Sequence, residues 1–278
     1  ENIDGMPEDD DLNYPLIALS LLETHGHDIT SDDVATAWLG LLPAGRVFTA
    51  ERAAYRNLLL GLDPPATARY RNPFRQWIGA QIRTELYGWA NPGRPDRAAL
   101  LAYADARVSH VRNGLYGALY AAALGAAAMV ESTIEAVLDA GLSVVPPRSR
   151  FAGAVRYARD VAGAEPDWEK VVDALAARFG DLHWVHVLNN AALLTAALQH
   201  SRGDFSRAVC ADVAGGWDTD STGATVGAVA GALCGARALP PSWVVPLRNR
   251  LATTVPGFAR VDGVGFDELA RRTLAVSR

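Results

Sequence analysis

Apolar residues recur every three or four positions along most of this chain, the spacing of helices with one buried face. Leu12, Leu16, Leu19 and Leu22 set the first such stripe, behind the acidic run Glu8-Asp9-Asp10-Asp11. Carboxylates ahead of a helix suit its positive N-terminal end. Asp28 to Ser31 is polar, and Ser31 is placed to cap a second helix running through Trp38. Leu42 to Phe48, with Pro43 and Gly45, reads as a loop, and residues 46 to 75 mix arginines and aromatics around the Pro64-Pro65 break. A helix is expected over Gln76 to Tyr87, with Trp77, Ile78, Ile82 and Leu86 on one face. Gly88 to Pro95 is a loop. Asp96 to Val108 is helical. The stretch Ser109-His110-Val111-Arg112-Asn113 interrupts it before an alanine-rich helix from Gly114. Further helices are expected over Ser132 to Ala140, Arg150 to Ala162, Asp167 to Phe179, His186 to His200 and Phe205 to Val213, with Gly141, Gly180 and Gly203 as stops. A long apolar pattern covers Gly223 to Leu239, where Gly223, Gly227, Gly231 and Gly235 are spaced by four. Pro246 to Thr253 and Phe266 to Leu274 close the chain as short helices. No segment keeps a period of two, so the expected fold is all-α, a single domain over residues 1–278 without repeats.

Two uncharged stretches, Asn113 to Val130 and Ser221 to Ala236, raise the question of a membrane. Both are rich in alanine and glycine, and neither exceeds the roughly 20 apolar residues a span needs. They read as buried core helices. The 278 residues are ample for a core, and the net charge of -5 gives no reason to expect a nucleic-acid or anionic-membrane partner. Cys210 and Cys234 sit in apolar helical contexts and read as buried, reduced thiols. The polar, acidic start Glu1-Asn2-Ile3-Asp4 carries no secretory pattern, so a cytoplasmic location is expected.

The densest chemistry lies in Gly215-Gly216-Trp217-Asp218-Thr219-Asp220-Ser221-Thr222. Asp218 and Asp220 would diverge on a regular helix but can converge on a turn before one. Oxygen-only ligands suit Mg²⁺, Mn²⁺ or Ca²⁺ rather than zinc or copper. The alternative is that one aspartate caps the helix and the other is solvated. Asp9, Asp10 and Asp11 form a second cluster, whose charges repel unless a cation lies among them. Alone it also fits an exposed acidic helix start. Together, two helix N-termini rich in carboxylates can meet around one or two divalent ions. His183 and His186 are three apart but have no third nitrogen or sulfur ligand nearby, which argues against zinc. Trp217 is suited either to stacking on a base or ribose or to packing on a neighbouring helix.

Gly-Gly-x-Asp-Thr-Asp-Ser followed by Gly-Ala-x-x-Gly-Ala-x-x-Gly-Ala, as it stands from Gly215 to Ala232, resembles the C-terminal motif of the ADP-ribosylglycohydrolase family, which includes the dinitrogenase-reductase-activating glycohydrolases. Glu8-Asp9-Asp10-Asp11 stands where that family has Thr-Asp-Asp-Thr. Gly79-Ala80-Gln81-Ile82-Arg83 resembles its Gly-Ala-Ala-Met-Arg, and Asp105 to His110 is similar to its run ending in Thr-His. The resemblance implies an all-α orthogonal bundle with a two-magnesium centre that holds the distal ribose while water attacks its anomeric carbon. It implies metal ligands at Asp9, Asp10, Asp218, Asp220 and Ser221. Glu8 stands in the place of a threonine ligand, and Asp11 also replaces a threonine. The catalytic set is then Asp10, Asp218 and Asp220. The substrate pocket is Gly79, Arg83, His110, Asn113, Gly215, Gly216 and Trp217, with glycine N–H groups and Arg83 as donors to the diphosphate.

Two departures from the family pattern stand out. The family's opening helix, with its Gly-Asp-Ala-x-Gly motif, has no counterpart ahead of Glu8. The loop before Gly79 lacks the Ser-x-Gly-Asn-Gly of many members and carries Arg69, Tyr70, Arg71, Asn72, Phe74, Arg75 and Trp77 instead. The expected activity is hydrolysis of an ADP-ribosyl N- or O-glycosidic bond, on a protein or a small molecule, with one or two Mg²⁺ ions and Mn²⁺ as an alternative. The rival readings are action on another ribosyl or nucleoside bond, and a catalytically silent ADP-ribose-binding protein.

Overall fold

The computed structural model describes residues 3–278; the polar start read at Glu1 and Asn2 lies outside them. Fifteen α-helices and no β-strand are present among the described residues. The first is α1 (Asp10–His25), whose Leu16, Ile17, Leu19, Leu21 and Leu22 are buried. In α2 (Ser31–Leu41) the cap is Thr30 rather than Ser31. Thr30 Oγ1 accepts from the Asp33 amide, and Asp33 Oδ2 accepts from the Thr30 amide in return. That reciprocal pair satisfies two donors, where Ser31 would satisfy one. Residues 46–75 hold two helices that sequence reading did not assign, α3 (Thr49–Leu59) and α4 (Ala66–Arg69).

The expected helix over Gln76 to Tyr87 is replaced by a 3₁₀ segment, Ile78–Arg83, and a short α5 (Glu85–Trp89). Every residue from Ile78 to Gly88 is buried, so the apolar stripe there does not mark one face of an amphipathic helix. The polar side chains point inward too, and Thr84 Oγ1 donates to the Ala118 carbonyl at 2.8 Å. Next come α6 (Pro95–Ala106), α7 (Asn113–Ala128), α8 (Ile134–Ser143), α9 (Arg150–Ala164), α10 (Trp168–Phe179), α11 (Val187–Ser201) and α12 (Phe205–Gly215). The glycine-spaced helix, α13 (Thr219–Cys234), ends at Gly235, which takes φ 77. After α14 (Pro241–Val244), the helix expected over Pro246 to Thr253 is absent. Leu251 instead bridges in extended form to Met6 and Val264, and the chain closes with α15 (Phe266–Val276).

The alanine-rich α7 sits between the two large core clusters. Ala122 and Ala126 pack with α1, α2 and α6, whereas Tyr120, Leu124, Ala127 and Ala128 pack with α8, α9, α11 and α13. Small residues let helix backbones approach closely, and Gly88 on α5 uses that freedom. A Cβ there would fall on the Ala122 carbonyl and the Ala126 amide of α7. Gly88→Ala is therefore expected to destabilise the fold by about 2–3 kcal/mol or more, because the obstacle is rigid backbone. Urea unfolding checks this, and an unchanged midpoint would mean that α5 and α7 separate freely. Among the described residues no helix is long and apolar enough to cross a membrane.

Candidate metal centre

The acidic run before α1 becomes a cluster because the helix starts within it. Asp9 is the N-cap, and its Oδ1 accepts from the Asp11 amide at 3.0 Å. Asp9, Asp10 and Asp11 each offer a carboxylate oxygen, all within 4.8 Å of one another. Burial, then the charges of Asp9 and Glu51, push the Asp10 carboxyl up to about 7. Asp11 is buried, and its Oδ1 has no hydrogen-bond partner. Burial, then Asp10, Asp9, Asp220 and Glu85, raise its carboxyl well above the usual range. Carboxylates so crowded are held either by protons or by a cation.

Asp218 supplies the facing element. It occupies the N-cap position of α13, yet its side chain makes no capping bond, so the helix-cap alternative does not apply to it. Its amide donates to Asn190 Oδ1 at 3.1 Å, and Asn190 is fixed in turn by bonds to the Trp184 and His186 carbonyls. Only 7% exposed, the Asp218 carboxyl is pushed up to about 7 by burial and then by the neighbouring Asp220 carboxylate; Ser221 partly offsets this. Asp220 is exposed and Ser221 buried. The charge of Asp220 is felt at Asp11, which links the two acidic helix starts through that one pair. Asp218 and Asp220 do not join the Asp9–Asp11 group at ligand-to-ligand distance.

Several expected site residues have other surroundings. Glu8 is already engaged. Its Oε1 accepts from Asn13, the Thr254 amide and the Thr254 hydroxyl, and its Oε2 pairs with Arg46. Partial burial opposes ionisation, but those bonds hold its carboxyl below the usual range. Glu8 thus ties the chain start to the Thr253–Thr254 segment, and Asp11 takes its place in the acidic cluster. Arg83 is engaged as well. At 1% exposure it donates to Glu51 and Gly79, to the side chain and carbonyl of Asp105, and to Ser109, which leaves no donor for a diphosphate.

His110 is fully buried, with Nδ1 2.8 Å from Ser109 Oγ and 3.8 Å from Glu51 Oε1. Burial, then the Arg83 charge, push its pKa well below the ordinary value, against a smaller pull from the Trp77 backbone. Asn113 opens α7 and donates to Gln76. Gly79 lies beneath the Glu51 carboxylate, where a Cβ would collide with it. Gly215 leaves room for Leu193, and Gly216 takes φ 85, a conformation that favours glycine. Trp217 packs partly buried against the Leu193–Ala196 cluster, the packing alternative. The cysteines also differ from expectation, Cys210 being exposed and Cys234 half-buried.

Glu51, Glu85 and Asn190 escaped sequence reading. Glu51 lies on α3 among the buried Ala50, Ala53, Ala54 and Asn57, and it bears on Asp10. Glu85 is buried, accepts from Thr225 at 2.7 Å and is pushed up to about 7 by burial. Asp212 on α12 is also buried, and neither carboxylate oxygen has a hydrogen-bond partner. The Thr222 hydroxyl beside it donates to the Asp218 carbonyl instead. Burial pushes the Asp212 carboxyl up to about 7. Because the folded state keeps this proton after the unfolded chain has lost it, stability falls as pH rises from about 4 to about 7. Asp212→Asn removes that loss, so its gain in melting temperature over the parent is expected to be larger at pH 8 than at pH 5. A pH-independent difference would contradict the raised pKa.

The chain is an all-α bundle with two Asp-rich helix starts, and the comparisons supply its class. The family model described as ADP-ribosylglycohydrolase matches residues 4–276. Among solved structures the chain is similar to one titled "ADP-ribosylglycohydrolase-related protein complex", with a TM-score of 0.62 and 21% identity, covering 96% of this chain and 80% of that one. No curated protein matches. The chain belongs to the ADP-ribosylglycohydrolase family and is a glycosidic hydrolase of that type.

Proposed function

We propose that the protein hydrolyses an ADP-ribosyl N- or O-glycosidic bond with the help of one or two divalent cations, Mg²⁺ foremost. The observation that carries this reading is the set of crowded carboxylates at the start of α1, one of which, Asp11, feels the charge of Asp220 at the start of α13. The donor set is all oxygen, which suits a hard cation, and the orphaned, buried Oδ1 of Asp11 is an acceptor without a donor. Asp9, Asp10, Asp218, Asp220 and Ser221 would hold the ion, with Asp11 beside them. A cation there would offset the carboxylate repulsion and lower the pKa of water toward neutrality. The remaining roles belong to the scaffold. Asn190 anchors the Asp218 backbone, and Gly216 turns the chain so that Asp218 enters the site. On this reading the substrate is an ADP-ribosylated protein or a small ADP-ribosyl compound.

The test is release of free ADP-ribose from peptides modified on arginine or serine. Chelation is expected to stop release and added Mg²⁺ to restore it; turnover that persists in chelator would overturn the metal reading. A second reading, another ribosyl or nucleoside substrate, is favoured by one feature. Phe74, Trp77, His183 and Trp184 form a row of aromatic contacts, the first tilted and the other two stacked, with centroids 4.6, 4.2 and 5.7 Å apart, in and beside the loop that departs from the family pattern. Assaying ADP-ribose, NAD and nucleosides side by side separates the two.

A further inference from the structure

Glu85 opens α5 and is buried, yet no ion pair among the described residues includes it. Arg83, two residues before it, is taken up by Glu51 and Asp105. A carboxyl buried without a cation is costly, so its place in the core needs a physical reason.

Three observations tie Glu85 to both acidic helix starts. First, its Oε1 accepts from Thr225 Oγ1 at 2.7 Å, and Thr225 lies on α13 one helical turn after Ser221. Helical threonines often bond the carbonyl one turn back within their own helix. Thr225 instead spends its one proton on α5, so the bond joins two elements. Second, Leu86 and Tyr87, which follow Glu85, pack in the same core cluster as Leu16, Ile17 and Leu19 of α1. Third, Glu85 and Asp11 are the only charged residues lining a cavity of about 860 Å³ bounded by α1, α5, α13 and α15. The charge of Glu85 is among those that raise the Asp11 carboxyl. α5 is therefore wedged between the helix that starts at Asp10 and the helix that starts at Thr219, packed on one and hydrogen-bonded to the other.

We infer that Glu85 is a positioning residue for the proposed cation, a role that presupposes the metal reading: through Thr225 it fixes the first turns of α13, and with them Asp218, Asp220 and Ser221, relative to the Asp9–Asp11 turn. Glu85 does not itself hold the ion. Ligands on two separate helices bind an ion well only when the helices are held at one spacing, and buried partners behind the ligands supply that constraint. The rival role is a joint that supports the fold alone. The two differ in what Mg²⁺ does. A joint that supports only the fold lowers stability when broken and leaves the affinity for the ion unchanged, whereas one that sets the ligands changes the affinity itself.

The experiment is calorimetric titration of the whole protein with MgCl₂. Thr225→Val keeps the shape of the side chain and removes the donor, and Glu85→Met breaks the same bond from the other end. Each is expected to weaken Mg²⁺ binding about tenfold, the low end of what loss of a residue behind a metal ligand costs. Thr225→Ser restores the hydroxyl and is expected to bind Mg²⁺ about as tightly as the parent. Glu135→Gln, an exposed carboxylate on α8, is expected to match the parent as well. Two variants that break one bond from opposite ends keep the test open should either fail to fold. Parent-like affinity in either broken variant, beside a parent that binds Mg²⁺, overturns the role of Glu85 and leaves the metal reading standing. A parent that binds no Mg²⁺ overturns both.

Discussion

Replacing Asp218 with asparagine is expected to abolish ADP-ribose release, by at least about 100-fold, while making the cation-free protein more stable at pH 8. Loss of a residue that merely supports a metal ligand commonly costs 10- to 100-fold, and a carboxylate that itself holds the ion costs more. The gain in stability follows from the same burial that prepares the site. The Asp218 carboxyl is raised to about 7, so the folded protein keeps its proton while the unfolded chain has already ionised. Stability then falls as pH rises through that window, and at pH 8 the full cost of a buried charge is present. Asparagine has the same shape without the charge, and the bond that anchors residue 218 comes from its backbone amide, so the Asn190 contact survives. Thermal melting with and without Mg²⁺ separates the two effects. Mg²⁺ is expected to raise the parent's melting temperature and leave the variant's unchanged. Undiminished release of ADP-ribose by Asp218→Asn would sink the assignment of this residue.

What the sequence reveals and what it hides follow from where each residue's partners lie. Helices with one buried face, such as α9 and α10, announce themselves by spacing alone. The two acidic starts could be paired because both carry several carboxylates just ahead of such a helix. The segment Ile78–Gly88 could not be read, because it is buried on every side and its conformation is set by inward polar bonds such as Thr84 to Ala118. Glu51 stayed hidden for a related reason. Its role depends on the missing Cβ of Gly79 and on Arg83, both distant in sequence, and nothing local distinguishes it from a solvated helical glutamate. The bonds of Glu8 could not be read either, because its partners Arg46 and Thr254 are distant in sequence and carry no spacing that points to it. Spacing shows which carboxylates can meet; only the fold shows which ones are already engaged.

Arg83 makes that distinction quantitative. Its guanidinium is 1% exposed, lies 2.6 Å from both Glu51 and Asp105, and sits over the rings of Tyr14 and Trp38 at 5.4 and 5.0 Å. Burial alone would depress its pKa, but Asp105 and Glu51 more than reverse that, so the cation is secure. Arg83→Met keeps much of the volume and removes the charge, leaving two buried carboxylates without their partner. Breaking a buried pair from one side costs about 3–5 kcal/mol, so this variant is expected to be among the least stable single changes in the protein. Adding Glu51→Gln and Asp105→Asn to it should recover a large part of the loss, because three neutral side chains no longer need one another. Chemical denaturation of the parent, the single and the triple variant measures both steps. If Arg83→Met were instead parent-like in stability yet failed to bind ADP-ribose, the guanidinium would be a ligand group after all. On the present geometry it holds α3 and α6 to the 3₁₀ segment, and so sets Glu51 over Gly79, from where its charge helps to raise the Asp10 carboxyl.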